Sequence, residues 1–533
     1  MRFKLTSYLF FLTILLSAKS FAQYGAMPPF TVQIEAINGI NIPGLHSFAF
    51  AQSGDKWLFV GGRTNGLHGL NSSGSFPSEY ANNSVIVVDT TTWTSFSADL
   101  NQLPISIADP MRSTNMQYIQ EGNYLYMLGG YGYDSILSKF VSYPTLTAIH
   151  IDNIINAVIN AQPILPTIRQ VVDTNFSICG GELGKIGSDY YLMFGHKFEG
   201  QYADPPVPIF TQTYSNKIKK FNLSDDGTTI TLSGFTYQSD TTNFHRRDLN
   251  TGPIVKPDGS FAIGAYGGVF RKDSNLPFRH PITISAGGTS VNNSYEQVMS
   301  QYTCAMMPIY DSTSQIMYTT FFGGISLYNY NETTSTINRD TLVPFINDVT
   351  TMTVYPSGTV EETILPVHLS GLLGSNSKFI HTQHVSSYSN EVIRIRNLPN
   401  SKILAGYLFG GIRASIGNFG ISTANDTIYR IFITPNNVNV EISDVQNPIQ
   451  NIQLFPNPSN QSTMLLFNLL NTEDLNIAVY DLTGKIVLHI TKEIKQKGNQ
   501  TININTSILD SGIYMCKIQS NNGERTIKLT VTR

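Results

Sequence analysis

The feature that most constrains this chain is a short apolar run closed by glycine, which recurs six times. The copies are Trp57-Leu58-Phe59-Val60-Gly61-Gly62, Tyr124-Leu125-Tyr126-Met127-Leu128-Gly129-Gly130, Tyr191-Leu192-Met193-Phe194-Gly195, Ile263-Gly264-Ala265-Tyr266-Gly267-Gly268, Thr320-Phe321-Phe322-Gly323-Gly324 and Tyr407-Leu408-Phe409-Gly410-Gly411. Their first glycines stand at 61, 129, 195, 267, 323 and 410, in steps of 68, 66, 72, 56 and 87 residues. Repetition on this scale marks an array of equivalent supersecondary units. Polar turns such as Ser53-Gly54-Asp55-Lys56, Gln120-Glu121-Gly122-Asn123, Pro257-Asp258-Gly259-Ser260 and Pro399-Asn400-Ser401-Lys402 precede the apolar runs. Apolar run, tight turn, apolar run predicts a β-hairpin. Glycine at the strand end admits a backbone conformation, or a close approach, that Cβ would forbid.

A second hairpin follows the mark, as in Val85–Asp89 with Trp93–Phe96, or Lys217–Phe221 with Thr229–Leu232. Each repeat is therefore expected to hold four antiparallel strands. Six such sheets predict an all-β chain built as a six-bladed β-propeller over 23–443. The pattern resembles kelch repeats, carried best by Gly61, Gly62, Asp89 and Trp93. The other repeats lack the Trp, and the spacing exceeds the roughly 50 residues of kelch. Thr31 to Ile37 alternates like an outer strand and is expected to join the last blade, a role that Val438-Asn439-Val440-Glu441 could share. The longest step is read as an insertion at 365–390. The turns between first and second strands, and between third and fourth, are read as short.

Arg2, Lys4, an apolar run from Leu5 to Leu16, and Ser20-Phe21-Ala22 predict a signal peptide over 1–22, cleaved between Ala22 and Gln23. No later run approaches 18 apolar residues, so no transmembrane segment is expected. Charged residues are 13% of the chain, against roughly 25% in an average domain. The formal net charge is −3; without Arg2, Lys4 and Lys19 it is −6, with about −8 on 23–451. An acidic body without a basic stripe argues against nucleic acid as a partner. Cys179, Cys304 and Cys516 lack metal or redox spacing and read as small buried residues, though a Cys179–Cys304 bridge is conceivable in an exported chain.

After a linker over 444–451, residues 452–533 form a different module of alternating strands and Gly/Asn turns, expected to be a small immunoglobulin-like β-sandwich. Its landmarks are Pro456, Asn457 and Pro458, then Asp481, Gly484 and Lys485, then Gly512 and Tyr514. In this order the module resembles the C-terminal type A sorting domain of the type IX secretion system of Bacteroidetes. The resemblance implies passage through the periplasm, engagement of the secretion machinery through 452–533, and a secreted or outer-membrane surface location.

In a propeller the connections from second to third strands and from fourth to first strands leave on one face. Here that face carries the long loops, about 63–82, 196–214 and 325–346, where binding residues concentrate. It also carries His245, Arg246, Arg247 and Asp248, a dense polar cluster in a charge-poor chain, and Arg112. Arg63, Tyr131, His196, Lys197 and Arg413 lie just past the glycine marks and are expected around the same mouth. Arginine offers a planar fork to carboxylates, and tyrosine a flat surface to sugar or peptide. The favoured reading is a binding protein for a glycan or an extracellular protein. The alternative is a carbohydrate-active enzyme, a mutarotase, epimerase or lyase on an anionic sugar, with His245 moving protons. Six-bladed kelch-type proteins include a sialic-acid mutarotase class. No nucleophile elbow, zinc-protease motif or phosphate loop occurs, and no metal or cofactor is expected.

Overall fold

The computed structural model describes residues 25–68, 75–202, 209–418, 420–436, 448–520 and 523–533. The expected signal peptide and Val438–Glu441 lie outside the described residues. The chain is all-β and divides into two compact units, Met1–Asn436 and Asn437–Arg533.

Among the described residues the first unit holds six principal sheets, each built on four antiparallel strands. Their first strands are Ala49–Ser53, Gln117–Glu121, Glu182–Ile186, Asn250–Val255, Ala305–Asp311 and Leu372–His381. Second strands carry the glycine marks. Lys56–Val60 shows why: four of its five residues are fully or nearly buried, because neighbouring sheets cover both faces. The fourth strands are wetter, as in Thr94–Asp99. The sixth sheet takes its outer strand from the start of the chain. Phe30–Ile37 pairs with Ile428–Pro435 from Phe30↔Pro435 to Ile37↔Ile428, as its alternation predicted. This covers an edge that would otherwise face solvent.

The glycine marks join neighbouring sheets. The Gly62 amide donates to Ser113 O (2.9 Å), Gly130 to Ile178 O (2.9 Å), Gly195 to Arg246 O (2.8 Å), Gly324 to Leu373 O (3.3 Å) and Gly411 to Leu45 O (2.8 Å). Four of the acceptors lie in the connection that enters the next sheet, and Leu373 lies in the first strand of the sixth. Gly62 sits at φ 86°, and a Cβ there would meet His46 O at 2.5 Å. Between the fourth and fifth sheets a side chain does this work. Asn250 Nδ2 donates to Gln301 O, and the Cys304 amide donates to Asn250 Oδ1 (2.8 Å).

Three expectations need correction. Residues 365–390 are not an insertion: they complete Val360–His368, the outer strand of the fifth sheet, and supply Leu372–His381, the first strand of the sixth. The extra length is at 382–402, between first and second strands, so that turn is long. There Ile393–Arg394 pairs parallel with Ala305–Asp311, and Arg396 grips Asp311 through both carboxylate oxygens (2.7 and 2.6 Å). Nor is the last connection of the second sheet short: it contains the helix Ile151–Ile159, whose Ile151, Ile154, Ile155 and Val158 enter the core. Finally, of the expected linker only the end is described, and Ile449–Asn451 already belong to a strand.

The second unit closes two sheets on one apolar core that includes Leu465, Phe467, Ile477, Val479, Cys516, Ile518 and Leu529. One sheet is Ile449–Phe455, Ser462–Leu469 and Gly498–Asn505; the other is Ile486–Lys495, Glu473–Tyr480, Gly512–Ser520 and Gly523–Val531. Its landmark residues are turn and edge devices. Asn457 bonds the last strand twice, Nδ2 to Lys528 O and Oδ1 from the Thr530 amide, both 2.8 Å. Asp481 Oδ1 accepts the Thr483 and Lys485 amides across a turn in which Gly484 takes φ 85°. Tyr514 donates to Asp510 O (3.0 Å).

Candidate functional site

One cavity draws on all six sheets. At its wall stand Ser47, Asn115, Gly180, Asp248 and Thr303, each from the connection into its sheet, and Asn376 from within the first strand of the sixth. All six are left-handed, with φ between 49° and 62°. Several are chained through the backbone: Asn115 N–H to Ser47 O (3.2 Å), Gly180 N–H to Asn115 O (2.9 Å), Asp248 N–H to Gly180 O (2.8 Å), and Asn376 N–H to Thr303 O. Left-handed backbone turns the chain sharply at the inner end of each repeat, which lets successive repeats meet there. The deeper wall carries Tyr118, Glu182 and Lys378 from three first strands. The Lys378 ammonium lies 5.1 Å from the Tyr118 ring centroid. Neither Lys378 nor Glu182 has an ion-pair partner within 4.0 Å among the described residues. Burial opposes the Lys378 charge, but Tyr118 and Glu182 outweigh it and its pKa is raised. Burial raises that of Glu182. A second cavity of about 170 Å³ shares Lys378 and is lined by His381 and Glu391.

The residues expected at the mouth fall into separate places. Arg247 and Asp248 pair (3.2 Å), and Arg247 also donates to Tyr214 Oη and lies over the Phe270 ring. Burial works against the Arg247 charge, and Asp248 with Tyr202 and Tyr214 outweighs it, so the guanidinium stays protonated. His245 stacks on Tyr214 (centroids 3.7 Å apart), with Nδ1 against Asn216 Oδ1 (2.8 Å). His196 is buried, its Nδ1 2.6 Å from Gln212 Nε2. Burial and the Arg247 charge lower both histidines, His245 also through Lys272, which keeps them neutral at neutral pH. Arg63, Arg112 and Tyr131 line a different cavity, of about 210 Å³. Lys197 is paired with Glu199 at 2.9 Å. Arg413 bonds Asn425 and Tyr429 in the sixth sheet.

Arg246 is a correction. It is fully buried, and Nε, Nη1 and Nη2 donate to the carbonyls of Asn243, Gly267 and His280. With each of its three nitrogens bonded to a backbone carbonyl it acts as an internal strut. The missed residues, Tyr118, Glu182 and Lys378, have no local signal: each sits in an ordinary alternating strand, and only the convergence of first strands brings them together. Among the described residues no group of three or more His, Cys, Asp or Glu could hold a metal ion. No helix among them is long and apolar enough to cross a membrane.

Comparison with known proteins reaches the second unit most firmly. Residues 453–532 match the family described as "Secretion system C-terminal sorting domain". The match supports a type IX secretion substrate, exported to the cell surface or extracellular space. No curated protein matches the sequence. Among solved structures, one titled "Structure of YjhT" is 12% identical, with 73% of this chain and 95% of that chain covered and a TM-score of 0.40. That likeness is too distant to support a fold assignment.

Proposed function

We propose that the first unit is a six-bladed, kelch-like β-propeller that binds a glycan on its long-loop face after export. The propeller reading is supported by six four-stranded sheets in chain order, by the contacts that join successive sheets, and by the N-terminal strand completing the sixth. The binding reading rests on one observation: Lys378 and Glu182, both without an ion-pair partner, face a cavity to which every sheet contributes a polar left-handed residue or Gly180. Both residues are half-buried and support each other's charge only from beyond ion-pair distance, so a ligand with matched groups can contact the two directly. Sugar hydroxyls both donate and accept, so one ring can satisfy an ammonium and a carboxyl together. Tyr118 supplies a flat face, and the Arg247–Asp248 pair, with Asp248 on the cavity wall, supplies a further polar edge.

The test is thermal unfolding of the full mature chain against neutral and acidic sugars. A ligand at 100 times its Kd stabilises by about 2.7 kcal/mol through mass action, a shift of several degrees. A sugar that raises Tm in the native chain but not in Lys378→Met or Glu182→Gln supports the reading. A flat panel with a sharp transition sinks it and leaves an extracellular protein segment as the ligand class to screen.

A further inference from the structure

The cavity of about 210 Å³ lies between the connections of the first two sheets and shares no wall residue with the central cavity. Its charge is unbalanced. Arg112 has its counter-ion, with Nη1 2.8 Å from Asp109 Oδ1. Both Asp109 oxygens are occupied, since Oδ2 accepts the Ser135 amide (2.8 Å). Arg63 has no such partner. It is 5% exposed, its Nε and Nη2 donate only to the neutral oxygens of Asn65 and Pro77 (3.1 and 2.8 Å), and no carboxylate lies within 4.0 Å. Burial works against the Arg63 charge, and the carboxylate that supports it, Glu79, acts only from beyond 4.0 Å.

Three donors on this wall are unpartnered: Arg63 Nη1, Arg112 Nε and Thr114 Oγ1. Thr114 is itself 96% buried by its 4% exposure, so its free hydroxyl is not offset by solvent. Such groups normally find partners, and those that do not call for an explanation. The wall also carries three aromatic rings, alongside Ser78, Asn83 and Ser135. Tyr131 spends its hydroxyl on Gly200 O and presents its ring beside Phe140, and Tyr133 is 40% exposed.

We propose that this cavity is a second ligand site, one that takes a sulfate or phosphate monoester on a ring-bearing molecule. Donors on three separate side chains suit the three terminal oxygens of a tetrahedral ester better than the two of a carboxylate. A sulfate monoester's single charge balances the one excess positive charge of Arg63, Arg112 and Asp109, and a phosphate monoester, at about −1.5 to −2 near pH 7, exceeds it. The bridging oxygen leads out past Tyr133, where the ring stacks. The site is independent of the central cavity and stands whether or not that cavity binds sugar.

Calorimetric titration of the full mature chain with 4-nitrophenyl sulfate, 4-nitrophenyl phosphate and 4-nitrobenzoate tests it. One or both esters are expected to bind, and the stronger identifies which oxyanion is preferred. Thr114→Val keeps the side-chain shape and is expected to weaken binding about tenfold or more, the scale of one hydrogen bond to a charged group. Arg63→Gln is expected to abolish it, with Thr114→Val deciding if the Arg63 variant does not fold. Lys378→Met should leave it unchanged. The proposal is overturned if neither ester binds, if 4-nitrobenzoate binds as well as the esters, or if binding survives Thr114→Val.

Discussion

The Gly180 amide donates to the carbonyl of Asn115 at 2.9 Å, and both residues are left-handed, at φ 62° and 52°. The bond joins third and second repeats beside the central cavity. It recurs between Asn115 and Ser47 and between Asp248 and Gly180. Conformation here is set by the meeting of repeats, so residue choice has a predictable cost. Gly180→Ala should destabilise by about 1–2 kcal/mol, since a Cβ is disfavoured at this φ and would stand 2.8 Å from Asp248 Oδ1. Thr303 is β-branched at φ 51°, and Thr303→Asn should stabilise by up to about 1 kcal/mol. Denaturant titration of both variants checks the pair, and the same sign for both would contradict the account.

The joints between sheets should separate two kinds of glycine. Gly62→Ala places Cβ 2.5 Å from His46 O in a packed joint, whereas Gly54, also at positive φ, has open space. We expect about 3 kcal/mol or more for Gly62→Ala and about 1 kcal/mol for Gly54→Ala. Asn250→Ala removes the three side-chain bonds, to Gln301 O, Cys304 Sγ and the Cys304 amide, that join the fourth and fifth sheets, and should cost about 2–3 kcal/mol. Chemical unfolding midpoints decide this, and equal losses at Gly62 and Gly54 would refute the joint model.

Acid should loosen the contact between second and third sheets. Asp225 is 3% exposed at its side chain and takes Arg169 on both oxygens (2.5 and 2.7 Å), with Tyr126 Oη donating at 3.0 Å. Burial pushes its carboxyl up, but Arg169, the Gly227 amide and Tyr126 outweigh burial, and the net shift is downward. A folded pKa below the unfolded value means stability that is complete above the unfolded value near 4 and is lost as pH falls through the folded one. Asp225→Asn should cost about 2 kcal/mol at pH 7 and flatten the stability loss below pH 4. A variant whose acid limb matches that of the native chain would exclude Asp225 as a contributor.

The sixth sheet depends on the N-terminal strand for its outer edge. Removing residues 30–37 uncovers Ile428–Pro435 along eight paired positions and loses the buried Phe30 and Val32. The truncated chain is expected to unfold at least about 10 °C lower and to associate through the exposed edge. Scattering and thermal melts would show it; an unchanged mass and Tm would make the strand dispensable.

Much of the first unit was legible because its signal is local. An apolar run, a Gly/Asp turn and a closing glycine each act over a few residues, so hairpins and their boundaries could be read along the chain. Where the reading slipped, at 365–390 and at Ile151–Ile159, it assumed equal connections. Leu372–His381 carries no glycine pair, and the helix announces itself only by Ile151, Ile154, Ile155 and Val158 at helical spacing. The candidate site was less legible. His245 to Asp248 stand together in sequence, yet Arg246 turns inward, Arg247 packs against Tyr214 and Phe270, and only Asp248 lines the central cavity.

The sequence by itself determined the strands, the six-fold repetition and the sorting module, since each rests on periodicity and turn chemistry within one segment. Only the tertiary structure decided which charges share a cavity. Lys378 and Glu182 are 196 positions apart, and Arg63 and Thr114 are 51 apart. Strand alternation fixes which face a side chain takes, but the neighbour it meets there is chosen by how one sheet packs on the next.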